Sequence, residues 1–304
     1  MVNARNMSHQ MTKASHRIGF MFVTGSAIAW SLGGLFTRLI RLDSWTMCAW
    51  RGLFGALGLA AAMAVLRQRD VVGSLRNMGW LGWVFVLQSG AGMIFYLSAL
   101  THTTVANVAV IYATAPFLAA ALGWIVLREK PSTSSIAASV VALLGVAFMV
   151  GFGTRGGLSG DLLALGMTWT MASTMVAARH YREIPILLTA CISSLLSGLL
   201  CWPFGTPRAV TTHELALLAL FGVVNFAIAL PLFTFGARLL PPIETALIGA
   251  VDAPLAPLWV WLAFNETPSL STMIGGTIVF AAVAVHLIVN ETASPQKPSL
   301  GRNA

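Results

Sequence analysis

Four ionisable side chains lie inside long apolar runs: Arg51, Glu244, Asp252 and His286. Charge in such a setting is costly and marks a functional position by default. Asp252 is the most informative, because Pro254 and Pro257 follow it. Proline has no backbone N–H, so each one frees a carbonyl a turn earlier. A carboxylate beside freed carbonyls can hold a ligand ammonium or a proton, or it can simply satisfy amides loosened at the kink. Arg51 can bind a carboxylate, but it is expected to snorkel toward the polar end of its helix or to pair with Asp43. Glu244 follows Pro241 and Pro242 and suits a helix N-terminus. His286 is expected to make an interhelical hydrogen bond, and His102 to lie in a loop.

Uncharged groups make a second constellation. Gln88, Gly92 and Tyr96 recur every four residues and share one helix face. Tyr112 and Thr114 precede Pro116, and Asn225 lies in another apolar run. Together with Trp30, Trp169 and Asp252 these line a candidate binding cavity. Amides, hydroxyls, rings and one acid suit a zwitterion or a weakly charged ligand, and suit phosphate esters badly, since those want Arg or Lys pairs. Cys48, Cys191 and Cys201 show no paired metal spacing, so no metal and no cofactor are expected. Neither hydrolase, metalloprotease nor nucleotide-loop motifs occur, which argues against an enzyme and against ATP-driven pumping. A channel filter or a line of pore charges is also missing.

The elements that position these residues follow from composition. Of 304 residues, 57% are hydrophobic and 9% charged, against about 25% charged in a soluble domain. Mean hydropathy is +0.80. These values point to an all-α integral membrane protein embedded in the lipid bilayer. The net charge of +8 is dispersed between apolar runs and gives no nucleic-acid patch. Apolar segments of roughly 20 residues, the length of a membrane helix, fall at 18–40, 44–66, 78–98, 103–127, 133–151, 161–179, 186–203, 214–235, 243–264 and 269–289. That predicts ten transmembrane helices. With the N-terminus inside, inner segments carry 13 Lys and Arg and outer loops 4. Both termini are therefore expected to be cytoplasmic.

The chain also matches itself at a shift of 137 residues. "LGWIVLREKPS" (122–132) lies over "WVWLAFNETPS" (259–269), so that Trp124 meets Trp261, Glu129 meets Glu266 and Ser132 meets Ser269. "AIAWSLGG" (27–34) lies near "GMTWTMAS" (166–173), pairing Trp30 with Trp169. The expected organisation is a tail (1–17), a five-helix repeat (18–151), a linker (152–160), a second five-helix repeat (161–289) and a tail (290–304). Five is odd, so the second repeat is inverted relative to the first, as in secondary transporters with a site between the halves. Glu129 and Glu266 read as structural, each facing the next helix N-terminus across a tight turn, with Ser132 or Ser269 as N-cap. Pro116, Pro254 and Pro257 read as structural kinks. Gly52, Ala56 and Ala60 form a small-residue stripe for packing within the chain or at a dimer seam, so a monomer or a homodimer is open.

The "P…W…E-x-P-S" ending of both halves, the small-residue-and-Trp opening and the ten spans resemble the drug/metabolite transporter superfamily, in its EamA-type exporter branch. "DAPLAPLWVWLAFNE" (252–266) is similar to the family's second-repeat pattern, with Ala253 where Pro is usual and Pro254 one place late. The resemblance covers about 18–290. It implies export of small metabolites across the bacterial inner membrane, amino acids foremost, with drugs or other metabolites as the alternative. It also implies a cavity lined by spans 1, 3, 4, 6, 8 and 9. Asp252 is then the candidate for proton coupling.

Overall fold

The computed structural model describes residues 2–66, 71–76, 78–103, 105–150, 157–181, 183–265, 267 and 269–292. Among them every regular element is helical. In chain order the long helical segments are α1 (Ala14–Leu39), α2 (Ser44–Val65), α3 (Trp80–His102), α4 (Asn107–Leu127), α5 (Thr133–Val150), α6 (Leu158–His180), α7 (Ile186–Phe204), α8 (Thr212–Leu239), α9 (Pro242–Phe264) and α10 (Leu270–Thr292). Seven of these, α1, α2, α4 and α7 to α10, are long and apolar enough to cross a membrane. Within α3 and α5 lie shorter apolar stretches, Trp80–Tyr96 and Thr133–Met149. The 23-residue α6 carries Asp161 in its first turn and Arg179 and His180 in its last, the arrangement that suits the helix dipole.

Leu57, Trp124, Leu144, Leu162 and Ile288 are each more than half exposed on the outside of the bundle. A belt of that kind is at home in hydrocarbon and not in water. The chain is a multi-pass membrane protein. In lipid the hydrophobic effect does not press helices together, so close backbone approach and interhelical hydrogen bonds must do so. α2 meets α7 in this way: a Cβ at Gly52 would lie 2.6 Å from Gly198 Cα and from Ser194 O. Ser194 Oγ donates to Gly52 O at 2.9 Å, and Cys191 Sγ to Ala56 O at 3.4 Å. The Gly52 and Ala56 stripe thus serves packing within the chain, while Ala60 is exposed. α5 meets α10 similarly, with Gly145 against Gly275. α3 packs on α6, α1 on the second half of α8, and α4 on α9.

Several local features recur 137 residues apart. α4 is interrupted at Ala113–Thr114 and α9 at Ala250–Val251. Arg128 and Asn265, with φ of 57° and 53°, end these two helices in the left-handed region, a usual helix stop although seldom without glycine. Ser132 Oγ then accepts the Ser135 N–H at 3.0 Å, and Ser269 Oγ the Thr272 N–H at 3.2 Å, so both serines cap the following helix.

A side chain at Gly52 leaves α2 and α7 nowhere to go. Gly52→Val should destabilise the protein by about 1–3 kcal/mol, read as a lower thermal midpoint in detergent. Gly79→Ala, where an added Cβ meets nothing within 4 Å, should stay within about 0.5 kcal/mol.

Candidate substrate cavity

The two interruptions decide where polar groups meet. Pro116 stands second in the helical piece Ala115–Leu122, and Pro254 third in Asp252–Phe264. Neither can donate to the carbonyl four residues back, so each helix restarts beyond its break. Tyr112 is the last residue before the break in α4, and Asp252 the first residue after the break in α9. Because α4 and α9 pack together, these groups come within electrostatic reach of each other. From α3, Tyr96 lies within reach of both Tyr112 and Asp252, and also of Arg51 on α2. Tyr96 is nevertheless 37% exposed.

Arg51 departs from expectation. It neither snorkels nor pairs with Asp43, and is only 7% exposed. Asp43 instead caps α2, accepting the Thr46 N–H at 2.8 Å and its hydroxyl at 2.6 Å. Burial pushes the Asp43 carboxyl up, but hydrogen bonds from Thr46 and Thr206 outweigh it and hold the group below its ordinary value. Freed of Asp43, the Arg51 guanidinium turns inward. One terminal nitrogen reaches Cys48 Sγ at 3.0 Å and Met93 Sδ at 2.9 Å. Its central carbon lies 5.0 Å and 5.1 Å from the ring centroids of Phe221 and Phe226. Cation–π contacts contribute about 2 kcal/mol each at best when desolvated, and sulfur is a weak acceptor. Burying an ion costs several kcal/mol, so these neighbours offset the cost in part only. A charge in the run "MCAWRGLF" (47–54) was the available signal; no spacing rule says which way it turns.

The other candidates divide. Trp30 and Asn225 join α1 to α8 reciprocally: the Trp30 indole donates to Asn225 O at 3.1 Å, and Asn225 Nδ2 to Ala29 O at 3.3 Å. Asn225 sits in a π-helical stretch, Val223–Ala229, widened ahead of Pro231, a common mark of functional segments. Gln88 ties α3 to α6, donating to Thr170 O at 3.0 Å and to Ser173 Oγ. Trp169 is not brought to the cluster. It is 51% exposed and continues the outward row of Leu162 and Leu165, because the opposite face of α6 is the one packed on α3.

At one end of the bundle the acids also find partners that a single-helix reading misses. Glu129 is held from another helix: Arg179 of α6 donates to it through Nε at 2.9 and 3.0 Å and through a terminal nitrogen at 2.8 Å. Glu244 is buried beyond a first-turn role, with His16 Nε2 at 2.9 Å and His286 Nε2 at 3.8 Å. His286 also meets Ser134 Oγ at 3.3 Å, linking α10 to α5. A cleft of about 340 Å³ runs beside Glu129, Arg179, Ser135 and Glu244. Glu266 lies outside the described residues.

Three comparisons bear on this arrangement. The profile of the EamA-like transporter family matches residues 17–151 and again 158–288. The chain is similar to the uncharacterized transporter YwfM of Bacillus subtilis (strain 168), 23% identical over 276 residues that make up 87% of this chain and 92% of that protein. A crystal structure 20% identical in sequence superposes with a TM-score of 0.77, covering 91% of this chain and 99% of that one; the likeness is one of fold.

The Glu129–Arg179 contact is testable as a pair. Glu129→Gln and Arg179→Gln, singly and combined, should reveal a coupling of about 0.5–1 kcal/mol in thermal stability, the upper range for a partly exposed ion pair. A coupling of zero would make the contact incidental.

Proposed function

The chain belongs to the EamA-like transporter family, and from that premise we propose that it exports small metabolites, amino acids above all, across a bacterial inner membrane. It is a membrane transporter of the drug/metabolite kind. In the proposed arrangement α3, α5 and α6 cross the bilayer together with the seven longer helices. Ten spans then form two inverted halves, 18–151 and 161–289, with both termini in the cytoplasm. The separate family match of each half supports this reading. So does the helix packing: exchanging α1 to α5 with α6 to α10 converts the α3–α6 contact into α8–α1, and leaves the α2–α7, α4–α9 and α5–α10 contacts unchanged.

One observation carries the functional reading. α4 and α9 are broken at equivalent positions, Ala113–Thr114 and Ala250–Val251, and Tyr112 and Asp252 flank those breaks. Irregular backbone at membrane depth is tolerated only where protein or a water-filled cavity surrounds it. Secondary transporters bind their substrates at such interrupted helices between repeats. Trp30, Asn225 and Gln88 hold the surrounding helices in position, and Tyr96, Tyr112 and Asp252 face the ligand. Alternating access follows from rocking one half against the other, so that closing one mouth opens the opposite one.

The test is counterflow of labelled amino acids in proteoliposomes, with and without an imposed pH gradient. Saturable counterflow is expected, and Asp252→Asn should lower it by roughly tenfold or more, equivalent to about 1.4 kcal/mol of lost binding. Accumulation that requires the gradient assigns Asp252 to proton coupling; flux indifferent to it assigns a facilitator. Absence of any amino-acid flux overturns the amino-acid assignment in favour of drugs or other metabolites.

A further inference from the structure

Arg51 is an incomplete site. A guanidinium stays protonated in a protein and carries five N–H donors. Here it lies about 10 Å along α2 from the start of the helix, at 1.5 Å per residue, and is 7% exposed. Its Nε has no hydrogen-bond partner among the described residues, and no described carboxylate lies within ion-pair distance of it. Around it stand two sulfurs, which are weak acceptors, and two phenyl rings, with no carboxylate among them.

Met93, which accepts from Arg51, lies one turn before Tyr96 on α3, and Tyr96 is within electrostatic reach of Arg51 and of Asp252 on α9 and is 37% exposed. Arg51 and Asp252 thus both stand near one partly exposed tyrosine. We propose that Arg51 binds the carboxylate of the transported molecule, with Asp252 receiving its ammonium group, so that the cavity selects zwitterions. The planar fork of a guanidinium makes two parallel N–H···O bonds to a carboxylate, which is the partner its vacant donors require. This proposal rests on the transporter reading above and adds the cationic anchor that Asp252, Tyr96 and Tyr112 cannot provide.

Two measurements on the purified full-length protein test it. In counterflow, an unlabelled amino acid should compete roughly tenfold or more better than its methyl ester or the corresponding amine without the carboxylate. Arg51→Gln should erase that difference by weakening the amino acid alone, and Arg51→Lys should restore part of it. Equal competition in the wild type, or a difference that survives in Arg51→Gln, overturns the proposal. The second measurement needs no flux. A buried cation awaiting a ligand burdens the empty protein, so Arg51→Met should leave the ligand-free thermal midpoint unchanged or shift it upward. Millimolar amino acid or acetate should raise the wild-type midpoint and not that of Arg51→Met. A lowered ligand-free midpoint in Arg51→Met makes Arg51 a structural residue and overturns the proposal. Carboxylate stabilisation dependent on Arg51, in a protein with no amino-acid flux, would sink the amino-acid reading and keep the carboxylate site.

Discussion

Hydrocarbon offers a peptide group no hydrogen-bond partner, and that constraint governs everything else in this molecule. It makes the chain helical wherever it meets lipid and allows a broken helix only in the protein's interior. α4 and α9 are broken at Ala113–Thr114 and Ala250–Val251, and they are packed against each other. Each break is thus sheltered by the other helix, with α6 packed beside α4 and α1 beside α9. Placing polar side chains there needs no additional device, since the prolines that disturb the backbone also fix which residues flank the disturbance. Tyr112 and Asp252 are those residues.

The same medium explains how the bundle holds together. Water-driven burial is not available between lipid-immersed helices, so contacts rely on shape and on short polar links. Gly52 against Gly198 and Gly145 against Gly275 bring backbones together where a side chain would not fit. Trp30 and Asn225 then lock α1 to α8 with two hydrogen bonds in opposite senses, and Gln88 locks α3 to α6. Rigid pairs of this kind are what a rocking motion needs, because movement is then confined to the surfaces between pairs.

Much of this was legible in the sequence, for physical reasons that can be named. Apolar length and loop charge follow from the medium, and the duplicated "E-x-P-S" ending forecasts paired features such as the Ser132 and Ser269 caps. What could not be read were contacts between segments distant in the chain. Local sequence ties Glu129 to its own turn, whereas Arg179, 50 residues on, binds it. The preceding prolines place Glu244 at a helix start, whereas contact with His16 and His286 comes from distant segments. Position in the run likewise points Arg51 to the helix end or to Asp43 and Trp169 to the cavity, whereas Arg51 is buried and Trp169 is half exposed. Helical periodicity says which residues share a face and is silent on whether that face meets lipid, a neighbour or a cleft.

In the proposed zwitterion site Arg51 supplies a positive group and Asp252 a carboxylate. With both ionised, the empty cavity has no net charge, and a bound zwitterion adds none. Moving either form through the membrane field then transfers no charge. A potential that exerts about 2.3 kcal/mol per elementary charge per 100 mV does no work on the cycle. Such a carrier is blind to voltage, and any electrical signature of its turnover must come from an ion that travels with the substrate.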